Sequence, residues 1–132
     1  MKHPRKASGF TLLELLVVVI IVGILATIAI PGFVKLMERV KGSEATSQLG
    51  TMYLAERVYY QDHDKYVTVL TDIGFDAPVA AQSYFTYSVT SATATQFTGA
   101  AVRRTAGGKP PNYSPAYTWT IDETNTLAAT GP

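Results

Sequence analysis

The stretch that decides the fold is Gly9-Phe10-Thr11-Leu12-Leu13-Glu14, together with the apolar run that continues behind it to Phe33. From Phe10 to Phe33 the only formal charge is that of Glu14. As a helix, with a rise of about 1.5 Å per residue, this segment is about 36 Å long. It is therefore long enough to cross a hydrocarbon core of about 30 Å.

A basic leader precedes the apolar run. It contains Lys2, His3, Arg5 and Lys6 and no acidic residue, which the positive-inside rule assigns to the cytoplasmic side of a membrane. An ordinary secretory signal has a shorter apolar core and a small-residue cleavage site behind it, and this run continues into an amphipathic helix instead. A plain membrane anchor explains the length and the basic flank. It does not explain Glu14, since a carboxylate inside an apolar segment costs about 2–3 kcal/mol or more.

The string GFTLLELLVVVIIVGILATIAIP resembles the class III signal sequence of type IV pilins and of type II secretion pseudopilins. The features that carry the resemblance are the basic leader, the run Gly9-Phe10-Thr11, an acidic residue (Glu14) at the fifth position after the glycine, and Pro31 near the end of the run. The resemblance implies that a prepilin peptidase cuts after Gly9, that Phe10 is N-methylated, and that the apolar helix stays on the mature protein. It covers about the first fifty to sixty residues, and beyond them the match is only one of general plan.

The same resemblance implies partners and locations. The chain is expected in the inner membrane before assembly, where it meets an inner-membrane assembly platform, and then as a homo-oligomer in a helical filament. That filament would be an extracellular pilus on the cell surface, or a periplasmic fibre if the chain is a pseudopilin. Packing of such helices would bring the Phe10 ammonium beside the Glu14 carboxylate of a neighbour, since an unmatched charge is strongly penalised there. We therefore expect Glu14 to set the register of assembly.

Pro31 lies inside the helical pattern and removes one backbone hydrogen bond, to the carbonyl of Thr27. Gly23 and Gly32 loosen the same segment further. A harmless kink is one interpretation. The resemblance implies another, in which the segment from Gly23 to Pro31 becomes extended when subunits assemble.

Beyond Phe33 the apolar residues recur mostly every three or four positions, which predicts an amphipathic helix that ends near residues 61–64. The predicted apolar stripe consists of Leu36, Met37, Val40, Ala45, Leu49, Met52, Tyr53 and Tyr60. We expect this stripe to pack on a sheet, and we expect the lone Trp119 to lie against it near Tyr53 and Tyr60.

The second half of the chain alternates short apolar and Thr-rich segments that predict strands. The expected strands are 84–89, 96–103, 117–121 and a short return strand at 126–128, with a turn of helix at 70–75 and a long loop at 105–115. The expected organisation is a cleaved leader at 1–9, a membrane or filament-core helix at 10–33 and a globular head at 34–132. The head comprises a helix at 34–62, an αβ-loop at 63–83 and a sheet region at 84–132. The fold class is α+β, a long N-terminal helix packed on a small antiparallel sheet as in the type IV pilin fold.

Composition limits the functions that the chain can carry. It has 132 residues, a net charge of +1 and no cysteine, which excludes disulfides and thiolate metal sites. The near-neutral charge provides no basic stripe for nucleic acid.

No set of nucleophile, base and orienting residue stands out, so we expect neither an enzyme nor a cofactor. Asp62, His63 and Asp64 are adjacent and would diverge on a helix, so we expect a solvated helix end and no metal.

Two interpretations remain within the resembled family. One is a type IV pilin that serves adhesion, twitching motility or DNA uptake; the other is the major pseudopilin of a type II secretion system. The major pseudopilin usually carries an acidic calcium loop near its C-terminus. The loop at 105–115 has no Asp or Glu, and so it lacks the carboxylates that calcium prefers. This difference favours a pilin.

The leader leads to a prediction about processing. We expect cleavage between Gly9 and Phe10, which leaves a methylated Phe10 as the new N-terminus. Intact-mass measurement and N-terminal sequencing of the protein isolated from cells test this. A mature N-terminus beyond Phe33 would contradict the whole interpretation of the apolar run.

Overall fold

The computed structural model describes residues 9–108 and 116–131. One long helix, α1, runs from Leu12 to His63, and a short 3₁₀ helix covers Ala80–Gln82. The strands are β1 (Phe85–Ala92), β2 (Phe97–Arg103), β3 (Thr118–Asp122) and β4 (Leu127–Ala129). They form one antiparallel sheet in the order β1-β2-β3-β4. The predicted α+β class, a long apolar N-terminal helix and a small antiparallel sheet, is confirmed.

The chain divides into two compact units, residues 1–37 and 38–132. In the first unit, the described residues are Gly9, Phe10 and Thr11 and the first part of α1. The large apolar side chains of this segment, from Phe10 to Met37, are all exposed. This part of the helix thus has no core of its own. We call the described part of the second unit the head.

In the head, α1 buries a narrow face against the sheet. The buried positions follow steps of four and three residues, namely Glu38, Gly42, Ala45, Leu49, Met52 and Glu56. The predicted stripe is right for Ala45, Leu49 and Met52. It is wrong for Leu36, Met37 and Val40, which are exposed. Two carboxylates and a glycine occupy buried positions that an apolar pattern cannot reveal.

The middle of the core depends on close approach between α1 and β2. A Cβ atom added at Gly99 would lie 2.7 Å from the Met52 sulfur and 3.1 Å from a methyl group of Ile121. Only glycine leaves room for these two buried side chains. Further along α1, the Tyr53 ring lies 6.3 Å from that of Phe97, and Phe97 lies 4.9 Å from Tyr66. Aromatic contacts therefore close the core toward the end of the helix.

Trp119 packs against α1, but at a different place from the one predicted. Its indole ring covers Gly42, where an added Cβ atom would lie 3.1–3.3 Å from ring atoms. The expected contact with Tyr53 and Tyr60 is wrong in position, because β3 pairs in a register that sets Trp119 opposite Ala101. The residues beside Tyr53 and Tyr60 are instead Phe97 and Tyr66.

The connection between α1 and β1 begins at Asp64, whose positive φ of 54° ends the helix. Residues 70–74 form a hydrogen-bonded turn, where a turn of helix was expected, and Gly74 has a φ of 66° there. The Phe75 amide then donates to the Leu70 carbonyl at 2.9 Å.

The leader residues 1–8 and residues 109–115 of the predicted long loop lie outside the described residues.

Glu56 has no exposed surface and lies under the start of this connection. Its Oε2 accepts a hydrogen bond from the Val67 amide at 3.3 Å, and among the described residues its Oε1 has no partner. Burial raises the pKa of the carboxyl group, and the Val67 amide offsets this only in part. The folded head therefore favours the protonated form of Glu56 more than the unfolded chain does.

The sign of the resulting pH dependence follows from that shift. A carboxyl group with a raised pKa in the folded state contributes most below its ordinary pKa of 4.5. That contribution is lost as the pH rises through the folded-state pKa. We expect Glu56→Gln to gain stability relative to the wild type as the pH increases over this window. Denaturant melts of the detergent-solubilised chain, followed by Trp119 fluorescence, measure the difference. Met52→Leu is the control, and an equal pH dependence for both variants would contradict the assignment.

Candidate functional site

The start of α1 is built from the motif that the sequence singled out. The Glu14 amide donates to the Thr11 hydroxyl at 3.2 Å, and the Thr11 amide donates to Glu14 Oε2 at 3.4 Å. This reciprocal pair is a capping box, with Thr11 as the N-cap and Glu14 three residues later. The Leu15 amide then donates the first helical bond, to the Thr11 carbonyl. Gly9 and Phe10 precede the helix and are exposed.

The sequence analysis placed Thr11 in the N-terminal motif but missed its role as the helix cap, although Thr followed three positions later by Glu is a known start signal. The cap gives Glu14 an additional task. In the single subunit its carboxylate satisfies a backbone N–H at the helix start, where the helix dipole also favours a negative charge. The carboxylate nevertheless keeps accepting capacity, because a carboxylate offers about four lone-pair positions.

The segment behind the cap is apolar on all sides. Among the described residues, α1 is the one helix that is long and apolar enough to cross a membrane, judged by length and composition. Gly23, Pro31 and Gly32 all lie inside continuous helix, and an added Cβ atom at either glycine would touch nothing within 4 Å.

A buried ion pair joins α1 to the end of β2. Arg103 Nε lies 2.7 Å from Glu38 Oε2, and Arg103 Nη2 lies 3.2 Å from Glu38 Oε1, so the contact is bidentate. Glu38 is 2% exposed and Arg103 is 1% exposed. Tyr117 donates its hydroxyl to Glu38 Oε2 at 3.2 Å, and Lys41 Nζ reaches Glu38 Oε1 at 2.6 Å. The Glu38 carboxylate is thus surrounded by donors.

These contacts decide the protonation states. Burial opposes the charge on Glu38, but the hydrogen bonds from Arg103 and Lys41 outweigh it and hold the pKa of Glu38 below its usual value. Burial and the neighbouring Glu38 charge raise the pKa of Tyr117 to about 12. At neutral pH the cluster therefore contains an ionised carboxylate and a phenol that keeps its proton.

A second carboxylate on α1 holds the start of β1. Glu44 Oε1 accepts hydrogen bonds from the Ser83 hydroxyl, from the Tyr84 amide at 3.1 Å and from the Tyr87 hydroxyl at 3.2 Å. Ser83 and Tyr87 are buried and Glu44 is half-buried. The connection between α1 and β1 is therefore fastened to the helix immediately before the strand begins.

His63 and Asp122, whose side chains could in principle bind a metal, have other contacts. The His63 ring stacks on Tyr59, with 4.0 Å between ring centroids, and its Nδ1 lies 3.1 Å from the Tyr59 carbonyl. Asp122 accepts hydrogen bonds from the amides of Thr124 and Thr126, both at 2.9 Å, within the β3–β4 turn. Over residues 9–108 and 116–131, no group of three or more His, Cys, Asp or Glu side chains is placed to hold a metal ion.

Comparison with known proteins supports the interpretation of the N-terminus. The prokaryotic N-terminal methylation motif matches residues 4–30. The chain is 45% identical over 82 residues to the type IV major pilin protein PilA of Myxococcus xanthus, covering 62% of this chain and 36% of that protein. It is 39% identical over 77 residues to the type II secretion system core protein G of Aeromonas hydrophila, covering 58% of this chain and 52% of that one.

A third relative is matched over most of its length. The chain is 31% identical over 96 residues to the type IV wide pilus major component PilA4 of Thermus thermophilus, which covers 70% of this chain and 71% of that protein. Against the first two relatives, the chain spans only about a third and about a half of their lengths. The fold and the N-terminus together define a class of protein: a small α+β protein that carries a methylation motif on an apolar helix. The chain belongs to the family of type IV pilins and type II secretion pseudopilins.

The ion pair leads to a prediction about the stability of the head. Glu38→Gln leaves the buried Arg103 without its carboxylate and should cost about 3–5 kcal/mol. Lys41→Gln removes only the more exposed partner and should cost about 1 kcal/mol or less. Denaturant melts of the detergent-solubilised chain, followed by Trp119 fluorescence, measure both losses. Equal losses for the two variants would show that Arg103 does not depend on Glu38.

Proposed function

We propose that this chain is a structural subunit of a type IV pilus and not an enzyme. It is held in the inner membrane by the apolar part of α1 and then polymerises through that helix into a surface fibre for adhesion, motility or DNA uptake. The observation that carries the proposal is the start of α1, where a single carboxylate lies at the head of an otherwise uncharged apolar segment whose large side chains are all exposed.

Assembly gives that exposed segment a place to bury its surface. Leu, Val and Ile side chains from Leu12 to Val34 are 44–89% exposed in the single chain. Burial of apolar area contributes about 25 cal/mol per Å². A bundle of such helices buries this apolar surface in the fibre, and a lipid bilayer buries it before assembly.

The Glu14 carboxylate provides register in that bundle. Cleavage after Gly9 creates an ammonium group on Phe10, and a neighbour displaced along the axis brings its own ammonium beside Glu14. The pairing offsets the desolvation of both groups, while an unmatched charge would be penalised. The capping box holds Glu14 at the helix start, so the carboxylate is positioned before the neighbour arrives.

A second candidate is the major pseudopilin of a type II secretion system. It is favoured by the matches to core protein G of that system in Aeromonas hydrophila and in Vibrio cholerae, each 39% identical. Both candidates polymerise by the same helix, so the location of the fibre separates them. A pilus subunit is recovered in fibres sheared from the cell surface, and a pseudopilin is retained in the periplasm.

Two substitutions at the helix start test the proposal with a matched pair. Glu14→Gln keeps a side chain that can complete the capping box, but it removes the charge. Thr11→Val removes the cap and keeps the charge. We expect Glu14→Gln, as the only subunit, to be cleaved and to accumulate in the membrane without entering fibres. We expect Thr11→Val to form fibres.

The measurement compares processed protein in the membrane with protein in the sheared fibre fraction. Normal fibres from Glu14→Gln alone would contradict the register role. If Thr11→Val lost its fibres and Glu14→Gln did not, the motif would be needed for helix capping and not for register.

A further inference from the structure

β4 forms one edge of the sheet, and its outer side carries no further strand among the described residues. Leu127, Ala128 and Ala129 are all exposed. On the inner side, the Thr130 amide donates to the Thr118 carbonyl at 3.0 Å. Because bonded and non-bonded residues alternate along an antiparallel ladder, the backbone N–H and C=O groups of Leu127 and Ala129 point to the outer side, in the direction of a neighbouring strand.

The two edges of the sheet are protected differently. β1, at the other edge, has a register shift between Val89 and Ser91, and a bulge of this kind hinders pairing with another chain. β4 pairs with β3 without such a shift, and from Thr124 to Gly131 the chain has no charged residue and no proline. Only the short length of β4 limits pairing there. The edge that is open to a partner strand is therefore that of β4.

The residues along this edge are self-complementary. Thr126-Leu127-Ala128-Ala129-Thr130 reads almost the same in both directions. In an antiparallel pair centred on Ala128, Thr126 of one copy lies opposite Thr130 of the other, and Leu127 lies opposite Ala129. Each pair of Leu127 with Ala129 exchanges both outward hydrogen bonds, so the contact contains about four of them.

An open groove of about 470 Å³ lies beside β4 and is lined by Arg39, Trp119, Ala129 and Gly131. Ala129 lies opposite Trp119 in the sheet. Residues directly opposite each other in adjacent strands project from the same face, so a Leu127 side chain opposite Ala129 projects toward the groove. The small Ala129 leaves room for it. Leu127 is 43% exposed in the single chain, and this contact covers apolar surface that is otherwise in water.

We propose that the outer edge of β4 pairs with β4 of a second copy of this chain, antiparallel and centred on Ala128, with Leu127 of each copy in the groove of the other. The inference rests on the proposed function, since the second copy belongs to another fibre. An isologous contact of this kind satisfies both copies at once and does not repeat from copy to copy. It therefore joins two fibres side by side and does not build the fibre itself.

The size of the contact explains why it acts between fibres. The short edge from Thr126 to Thr130 buries far less than the area of about 800 Å² per partner that is usual in a stable complex. A fibre presents this edge many times, and repeated weak contacts reinforce one another when the geometry lets them form together. We therefore expect the contact to appear as bundles of fibres.

Charged substitutions test the contact in fibres sheared from cells in which the variant is the only subunit. Leu127→Lys places an unpaired charge against Ala129 of the other fibre and should lower the bundled fraction, measured by low-speed sedimentation, about tenfold. Ala129→Glu should do the same. Fibres of these two variants, when mixed, set opposite charges across the strand pair and should bundle again. Val79→Lys, at an exposed position in the connection before β1, is the control and should bundle as the wild type does.

A cysteine at the centre of the pair locates the contact. The two Ala128 residues face each other as a non-hydrogen-bonded pair with Cα atoms about 4.5 Å apart, which a disulfide can span. Since the natural chain has no cysteine, Ala128→Cys introduces a single thiol. Isotope-labelled and unlabelled fibres of this variant, mixed after shearing and then oxidised, should give dimers that contain one chain of each mass. Thr86→Cys, exposed on β1, is the control and should give none.

The outcomes separate this inference from the proposed function. Bundles that are lost in Leu127→Lys and return on mixing with Ala129→Glu, together with mixed-mass dimers of Ala128→Cys, support the contact. Wild-type fibres that lie singly, Leu127→Lys fibres that bundle as the wild type does, mixed variant fibres that stay apart, or an absence of mixed-mass dimers each overturn the contact and leave the role as a fibre subunit intact. A wild-type chain that forms no fibre at all overturns the proposed function itself.

Discussion

The head depends on the buried contact between Glu38 and Arg103. A bidentate bond of this kind fixes both the distance and the rotation between α1 and β2. The Tyr117 hydroxyl donates a hydrogen bond to the same carboxylate, and this contact attaches the segment before β3 to α1. Burying two charges is costly, and such a pair is retained where it specifies one arrangement among several. Here the arrangement it specifies is the register of the helix on the sheet, from which the apolar contacts follow.

That register explains why small residues occur where they do. With Glu38 held against Arg103, Gly42 comes under the Trp119 ring and Gly99 comes under Met52. A side chain at either glycine would push the helix away from the sheet. The polar contacts and the glycines therefore act together, since the ion pair sets the alignment and the missing Cβ atoms allow the close approach.

Four carboxylates on the same helix have different tasks because their surroundings differ. Glu14 is exposed at the helix start and caps it. Glu38 is buried with an arginine and stays ionised. Glu44 is half-buried and accepts hydrogen bonds from the residues at the start of β1. Glu56 is buried, and burial raises the pKa of its carboxyl group. The sequence spacing alone does not reveal the buried pair, because Glu38 and Glu56 lie on the same helical face as their apolar neighbours Ala45, Leu49 and Met52.

The sequence by itself determined the class of protein and the motif at its N-terminus. Length, apolarity and a single charge are properties of consecutive residues, so the apolar helix, Gly9, Phe10 and Glu14 could be identified without coordinates. The alternation of Thr with aromatic residues likewise predicted the strands. Only the tertiary structure decided that Glu38 and Glu56 are buried, that Leu36 and Val40 are not, and that Trp119 covers Gly42. Those outcomes depend on which residues meet across the helix and the sheet, and this pairing is set by contacts between residues far apart in the chain.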